Sequence, residues 1–313
     1  MTRKDKQTGW KKYKGIYKKW YADPDNLWEI LNLDEKYTNN EYCTILSNSD
    51  KGRIHKIASI VPGVNPTSTI KKLKKFFTLE QRNKVQQVAV DMANGMIKVA
   101  RELFKNAIIV IDRFHVRNLI NEMIWAVKTR LKIKLAREET KRMKEYKINE
   151  KTKTKNGKKK WEYRPKRYGN GETKLEMITR CHYQIRKNNK NWTKKEIARW
   201  KIIKKIACFK SLITIYEHSI KLYDIYERKV TKEVGTILMK EWITGARRYT
   251  RIPESLHLAN SIERKLDLIT NYFISRHTNG YWEWLNSRIG KIVRDSKGFT
   301  NNDYMIFRLI TAL

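Results

Sequence analysis

Only three cysteines occur in the 313 residues, Cys43, Cys181 and Cys208, far apart and without a CxxC pair. That scarcity excludes a disulfide framework and a structural zinc ribbon, and unpaired thiols of this kind read as buried and inert. His182 follows Cys181 directly, and adjacent residues are poorly placed to share one metal. Long apolar runs are also missing: none approaches the roughly 20 residues that a membrane-spanning helix needs. The basic start MTRKDKQTGWKKYKG is not followed by the apolar stretch of a secretory signal. A cytoplasmic protein with no membrane partner is expected. Acidic residues are few, 32 Asp and Glu against 69 Lys and Arg, which leaves a formal net charge of +37. Such an excess opposes compaction unless a polyanion neutralises it, so nucleic acid is the expected partner.

What is present suffices for a folded domain, since 40% of the residues are hydrophobic. Residues 1–27 are Lys-rich with interleaved Trp10, Tyr13, Tyr17, Trp20 and Tyr21, and read as a basic aromatic arm. Residues 28–115 read as an α/β core in the order βββαβαβ. Strand-like runs at 27–35, 41–49 and 53–61 are separated by KYTNN and by Asp50-Lys51-Gly52, lengths that suit hairpins. Pro62-Gly63 ends the third strand. Residues 66–77 have Ile70, Leu73, Phe76 and Phe77 at helical spacing, with Thr67 or Ser68 as the cap. Residues 86–92 and 107–112 read as buried strands on either side of a helix at 96–104, and such all-apolar strands imply parallel pairing.

From 116 to 276 no strand is expected. This long basic block reads as a mostly helical insertion, with a helix at 208–230. Its most polar part, 137–175, reads as a mobile loop or arm, because six of the ten residues from 151 to 160 are Lys. Residues 277–313 close the core with helices at 280–294 and 302–313. Tryptophans among basic residues suit both phosphate contact and base stacking. For Trp192 and Trp200 packing inside helical cores is preferred, whereas Trp10, Trp20 and Trp161 stay open to either role.

The candidate chemistry lies in carboxylates. Residues at the carboxyl ends of strands converge on one crevice in an α/β sheet. Asp34 ends the first predicted strand, Asp91 the first parallel one and Asp112 the next. Carboxylates are the ligands that hard divalent cations prefer, and two such ions about 4 Å apart drive in-line phosphoryl transfer. Asp112 competes with Asp91 as the second ligand; Asp91 is preferred because its strand should lie beside the first. Glu283, in the opening turn of a helix after His277-Thr278-Asn279-Gly280, is the candidate third ligand. An Asp at a strand end is often only a turn former or cap. Glu35 points away from Asp34 if both belong to a strand. His115 reads equally as a packed residue orienting the Asp112 loop.

Three blocks resemble the ISL-three family of bacterial insertion-sequence transposases. VAVDMANGMIKVARELFKNAIIVIDRFHVRNLINE (88–122) is similar to the family's run of a strand ending in Asp-Met, a helix, and a strand ending in Asp-Arg-Phe-His. TNGYWEWLNSRIGKIVRDSKGF (278–299) resembles its final block, and Asp34-Glu35 falls where the family has its first catalytic Asp. The resemblance implies an RNase H-like mixed sheet with a helical insertion, and a DDE transposase that cleaves and joins the DNA of an insertion sequence. It carries over Asp34, Asp91 and Glu283 as catalytic ligands of two Mg²⁺ or Mn²⁺ ions. Asp112, Arg113, His115, Asn279 and Asn286 become supporting or DNA-contact candidates, as do Arg288, Lys291, Arg294 and Lys297, three apart along one helix. The implied partners are double-stranded transposon ends and target, with a homodimer assembled on DNA at the bacterial nucleoid. Two departures stand out: Trp284 occupies the place of a usual Gly, and the first 27 residues leave no room for the family's zinc-binding and helix-turn-helix segments. These motivate the alternatives of a decayed or repurposed nucleic-acid-binding protein and of a nuclease on the same fold.

Overall fold

The computed structural model describes residues 21–38, 41–48, 56–153, 163–249, 251–276 and 280–295, with Ile306 and Leu309. The chain divides into two units. One comprises Met1–Val116, Val230–Thr236 and Lys265–Leu313, the other Arg117–Lys229 and Ile237–Arg264.

The first unit is built on a mixed sheet of β1 (Tyr21–Ala22), β2 (Ile30–Thr38), β3 (Glu41–Asn48), β4 (Ile57–Pro62), β5 (Gln87–Val90) and β6 (Ile108–Ile111). Their order across the sheet is β1-β4-β3-β2-β5-β6. The first four pair antiparallel, while β5 runs parallel to β2 and β6 parallel to β5. The expected antiparallel meander and buried parallel strands are therefore present, with the two-residue β1 as an addition. Helices α1 (Pro66–Phe76) and α2 (Leu79–Asn83) join β4 to β5, and α3 (Asn94–Leu103) joins β5 to β6. Helix α3 packs over β2, β5 and β6, and α1 packs on α3.

Two local expectations need correction. The first strand does not end at Asp34 but continues to Thr38, because Glu35, Lys36, Tyr37 and Thr38 keep pairing with Thr44, Cys43, Tyr42 and Glu41. Tyr37 and Tyr42 make an edge-to-face ring contact at 4.9 Å, the kind of cross-strand pair that stabilises a ladder. The cap of α1 is Asn65 rather than Thr67 or Ser68: its side chain accepts from the Ser68 N–H at 3.1 Å, and Pro66 occupies the first helical position. Gly63 does end β4, at φ +89°, and its N–H donates to the Tyr42 carbonyl at 2.7 Å. The predicted turn at 50–52 and most of the last predicted helix lie outside the described residues.

Directly opposed residues of paired strands share a face. Ile45 opposes Asp34 and Ile60 opposes Ile45, so these three share one face. On it Cys43, Ile45, Ile57 and Ile60 form a core cluster with Leu285, Ile289, Ile292, Ile306 and Leu309. Leu285, Ile289 and Ile292 belong to a C-terminal helix, Gly280–Asp295. Their spacing of four and three puts them on one stripe, which seats that helix against the sheet.

The second unit contains helices only among the described residues. Helix α4 (Arg113–Lys153) starts in the first unit and is followed by α5 (Lys174–Arg180), α6 (Lys194–Ile203) and α7 (Lys210–Glu227). Helix α8 (Lys232–Arg247) likewise begins in the first unit, and α9 (Pro253–Glu263) completes the second. The chain then returns to the first unit with α10 (Leu266–Thr270), α11 (Tyr272–Ser275) and the C-terminal helix, α12 (Gly280–Asp295). Residues 137–153 are helical rather than a loop. Ala, Arg, Glu, Lys and Met favour helix without needing a core, and Lys141 pairs with Glu145 one turn on. Of the loop expected beyond Lys153, 154–162 lie outside the described residues, 163–173 carry neither helix nor strand, and Lys174 already begins α5.

Trp192 stacks on Tyr216 at 5.2 Å and meets Trp200 edge to face at 5.1 Å, so both tryptophans pack inside the unit. The Glu172 carboxylate accepts two 2.8 Å hydrogen bonds from Arg199 and one of 3.0 Å from Arg180, which hold it below its ordinary pKa. Cys43 and Cys181 are buried and Cys208 is half-buried; burial pushes the Cys181 thiol up to about 11.

Because Ile289 is fully buried between α12 and the sheet, Ile289→Ala should lower unfolding free energy by about 2–5 kcal/mol, measured by urea denaturation. A cost within experimental error of zero would contradict the docking of α12.

Candidate active site

The parallel register sets the site. Leu33, Val90 and Ile111 form the last aligned row of β2, β5 and β6, so the next residues of the three segments are Asp34, Asp91 and Asp112. The ladder continues into that row, since the Asp112 N–H donates to the Val90 carbonyl at 3.0 Å. All three acids stand at the carboxyl ends of the parallel pairing, with Asp91 next to Asp34 and Asp112 one strand further away.

Each acid is tied to the backbone around it. Asp34 Oδ1 accepts from the Glu35 N–H at 2.8 Å, and Asp91 Oδ1 accepts from the Ala93 N–H at 2.8 Å. Asp112 is buried, and its Oδ1 accepts from the Phe114 N–H at 3.2 Å in the first turn of α4. Asp112 thus serves the helix start, where a carboxylate also complements the helix dipole.

Burial raises the Asp91 carboxyl above the ordinary Asp value. Its bond from Ala93 and the nearby His115 and Lys265 pull the other way, while the negative charge of Asp34 raises it again. Glu35 is raised by burial, then by Asp91 and Asp34. Its side chain alternates to the other face of β2 but still senses both acids. Lys36 is lowered by burial, with Asp34 favouring its charge and Arg294 opposing it. That last effect brings the basic side of α12 close to β2.

The other sequence candidates are unequally placed. His115, in the first turn of α4, is close enough to influence Asp91, and its ring meets Phe114 edge to face at 5.7 Å. Arg113 is half-buried beside it. Arg288, Lys291 and Arg294 are exposed on α12. Steps of three shift about 60° around a helix, so the three occupy a broad arc on its exposed side. Glu283 and Asn286 lie on α12, and their side chains are outside what is described, as are Asn279 and Lys297. Among the described residues no three His, Cys, Asp or Glu side chains are grouped to hold a metal ion.

Lys265 is a site residue that sequence reasoning missed. Its Nζ donates to the Met92 carbonyl at 2.6 Å and to Asn94 Oδ1 at 2.5 Å, pinning the loop that follows Asp91. Nothing in a Lys more than 170 positions away in a Lys-rich chain signals that role.

An ISL-three transposase family model, described as Transposase, matches residues 31–309. The chain belongs to this family. No curated protein and no solved structure matches it. The match takes in all three acids of the row, the helical second unit and α12. A transposase processes DNA, which accounts for the +37 charge. Among the described residues of this transposase no helix is long and apolar enough to cross a membrane.

The Asp91 carboxyl should titrate above the ordinary Asp range, and Lys265→Met should move it further up by removing a cation that favours the carboxylate. Carboxyl-carbon NMR titration reads both. With its folded pKa above the unfolded one, Asp91 opposes folding at neutral pH, and that penalty disappears as pH falls through the folded pKa. An Asp91 titrating below the ordinary value would contradict the burial described.

Proposed function

We propose that this transposase cuts and joins DNA by in-line phosphoryl transfer, with Asp34, Asp91 and Glu283 holding two Mg²⁺ or Mn²⁺ ions. The observation that carries this reading is the placement of Asp34 and Asp91 side by side on adjacent parallel strands, with Asp91 partly desolvated. Two neighbouring carboxylates whose charges oppose each other suit a hard cation, which offsets both the repulsion and the lost hydration. The helix carrying Glu283 packs on the same sheet face, which supports Glu283 as the third ligand.

When bound, such ions activate the attacking water or 3′-hydroxyl and stabilise the leaving oxygen. The chain's own groups do the positioning. Backbone N–H groups of Glu35 and Ala93 fix one oxygen each of Asp34 and Asp91. Lys265 restrains the Asp91 loop, and His115 places an imidazole beside it. Arg288, Lys291 and Arg294 contact the phosphates of the DNA brought to the site.

On this reading the sheet unit is an RNase H-like core, and the helical unit is an insertion between its parts. The protein works on double-stranded element ends and target, as a dimer on paired ends in the bacterial cytoplasm.

Asp91→Asn and Glu283→Gln should each reduce Mg²⁺- or Mn²⁺-dependent nicking and strand transfer at least about 100-fold while leaving the melting curve intact. Asp112→Asn should be milder, since Asp112 caps α4. Sequenced products should contain element ends joined to target. Undiminished activity in both ligand variants would refute the assignment. Salt-sensitive DNA binding without metal-dependent cleavage in the unaltered protein would assign a purely binding role.

A further inference from the structure

Immediately below the carboxylate row, three polar side chains share the same sheet face. Asn32 precedes Asp34 by two residues on β2 and is 1% exposed. Ser47 opposes it on β3 and is fully buried. Ala89 pairs with Asn32 on β5, and Gln87, two residues before Ala89 and therefore on its face, is 5% exposed. Asn32 Oδ1 and Nδ2, Ser47 Oγ and Gln87 Nε2 have no hydrogen-bond partner among the described residues.

An apolar side chain would fit such a buried strand face at lower cost, so a run of unsatisfied groups there calls for a reason. Their number and chemistry match the needs of buried water, which makes about three hydrogen bonds to otherwise unsatisfied groups. Asn32 lies one same-face step from Asp34 and diagonally across from Asp91, too far for a direct bond but within reach through one water.

We propose that Asn32 is a positioning residue for the metal-binding acids. With Ser47 and Gln87 it holds buried water beneath Asp34 and Asp91, and through that water it restrains the two carboxylates. The inference rests on the metal-binding reading of those acids. It adds a donor and acceptor layer below them, distinct from the backbone N–H groups that hold their other oxygens.

The test is Mn²⁺ affinity of the full chain without DNA, by calorimetry, for the unaltered protein, Asn32→Leu and Ser47→Ala. Loss of a group that orients metal ligands typically weakens binding about 10- to 100-fold, and that loss is expected for Asn32→Leu, with a smaller one for Ser47→Ala. The melting temperature of Asn32→Leu should stay close to level, because an apolar side chain of similar size removes the burial cost of the amide together with its bonds to water. A merely structural Asn32 would give the reverse pattern: a lower melting temperature and unchanged affinity. Mn²⁺ binding within twofold of the unaltered protein in Asn32→Leu overturns the proposal. Should that variant not fold, Ser47→Ala decides it by the same criterion. If the unaltered chain binds no Mn²⁺, the metal-binding reading and this one fall together; if it binds and the variants match it, only the positioning role falls.

Discussion

The hydrogen-bonded register between β2 and its parallel neighbour β5 decides where the acids stand. With Leu33 aligned to Val90, Asp34 and Asp91 follow as neighbours in the next row, and the same alignment between β5 and β6 adds Asp112. Side-chain direction alternates with every residue, so a one-residue slip would send a carboxylate to the other face. The buried Leu31, Leu33, Val88 and Val90 make that slip costly. Apolar packing below the row thus specifies the placement of the charged groups in it.

That placement is unfavourable by itself. Asp91 is desolvated and sits beside Asp34, and Glu35 feels both. The surroundings offset the cost only in part, through backbone N–H groups, His115 and Lys265. A strongly basic chain could have filled this row with a neutral or cationic side chain; it keeps like charges together instead. Departures of this kind from local preference concentrate at functional sites.

Much of the sheet was legible because its signals are local. QVAV and IIVI are short, wholly apolar and bounded by polar residues, which marks buried parallel strands and leaves Asp91 and Asp112 at their ends. The hairpin was misjudged where Lys36, Tyr37 and Thr38 resemble turn sequence, because their strand character comes from cross-strand partners that no linear window contains. The helix through 137–153 was hidden by its lysines: charge argued against a core, but helix propensity needs none. Lys265 and Asn32 were illegible for a different reason. A Lys in a Lys-rich chain and an Asn at an even position of a strand look like solvated residues, and only the fold brings one to Met92 and buries the other. The acids were visible as candidates; their shared row was not.

The hairpin's extension past Asp34 has a mechanical consequence. Asp34 sits within a ladder that continues four residues beyond it on the β3 side, whereas Asp91 begins a loop held by its own side chain and by Lys265. One carboxylate therefore shifts only with a paired strand, whereas the place of the other depends on a few side-chain bonds, those of Lys265 among them.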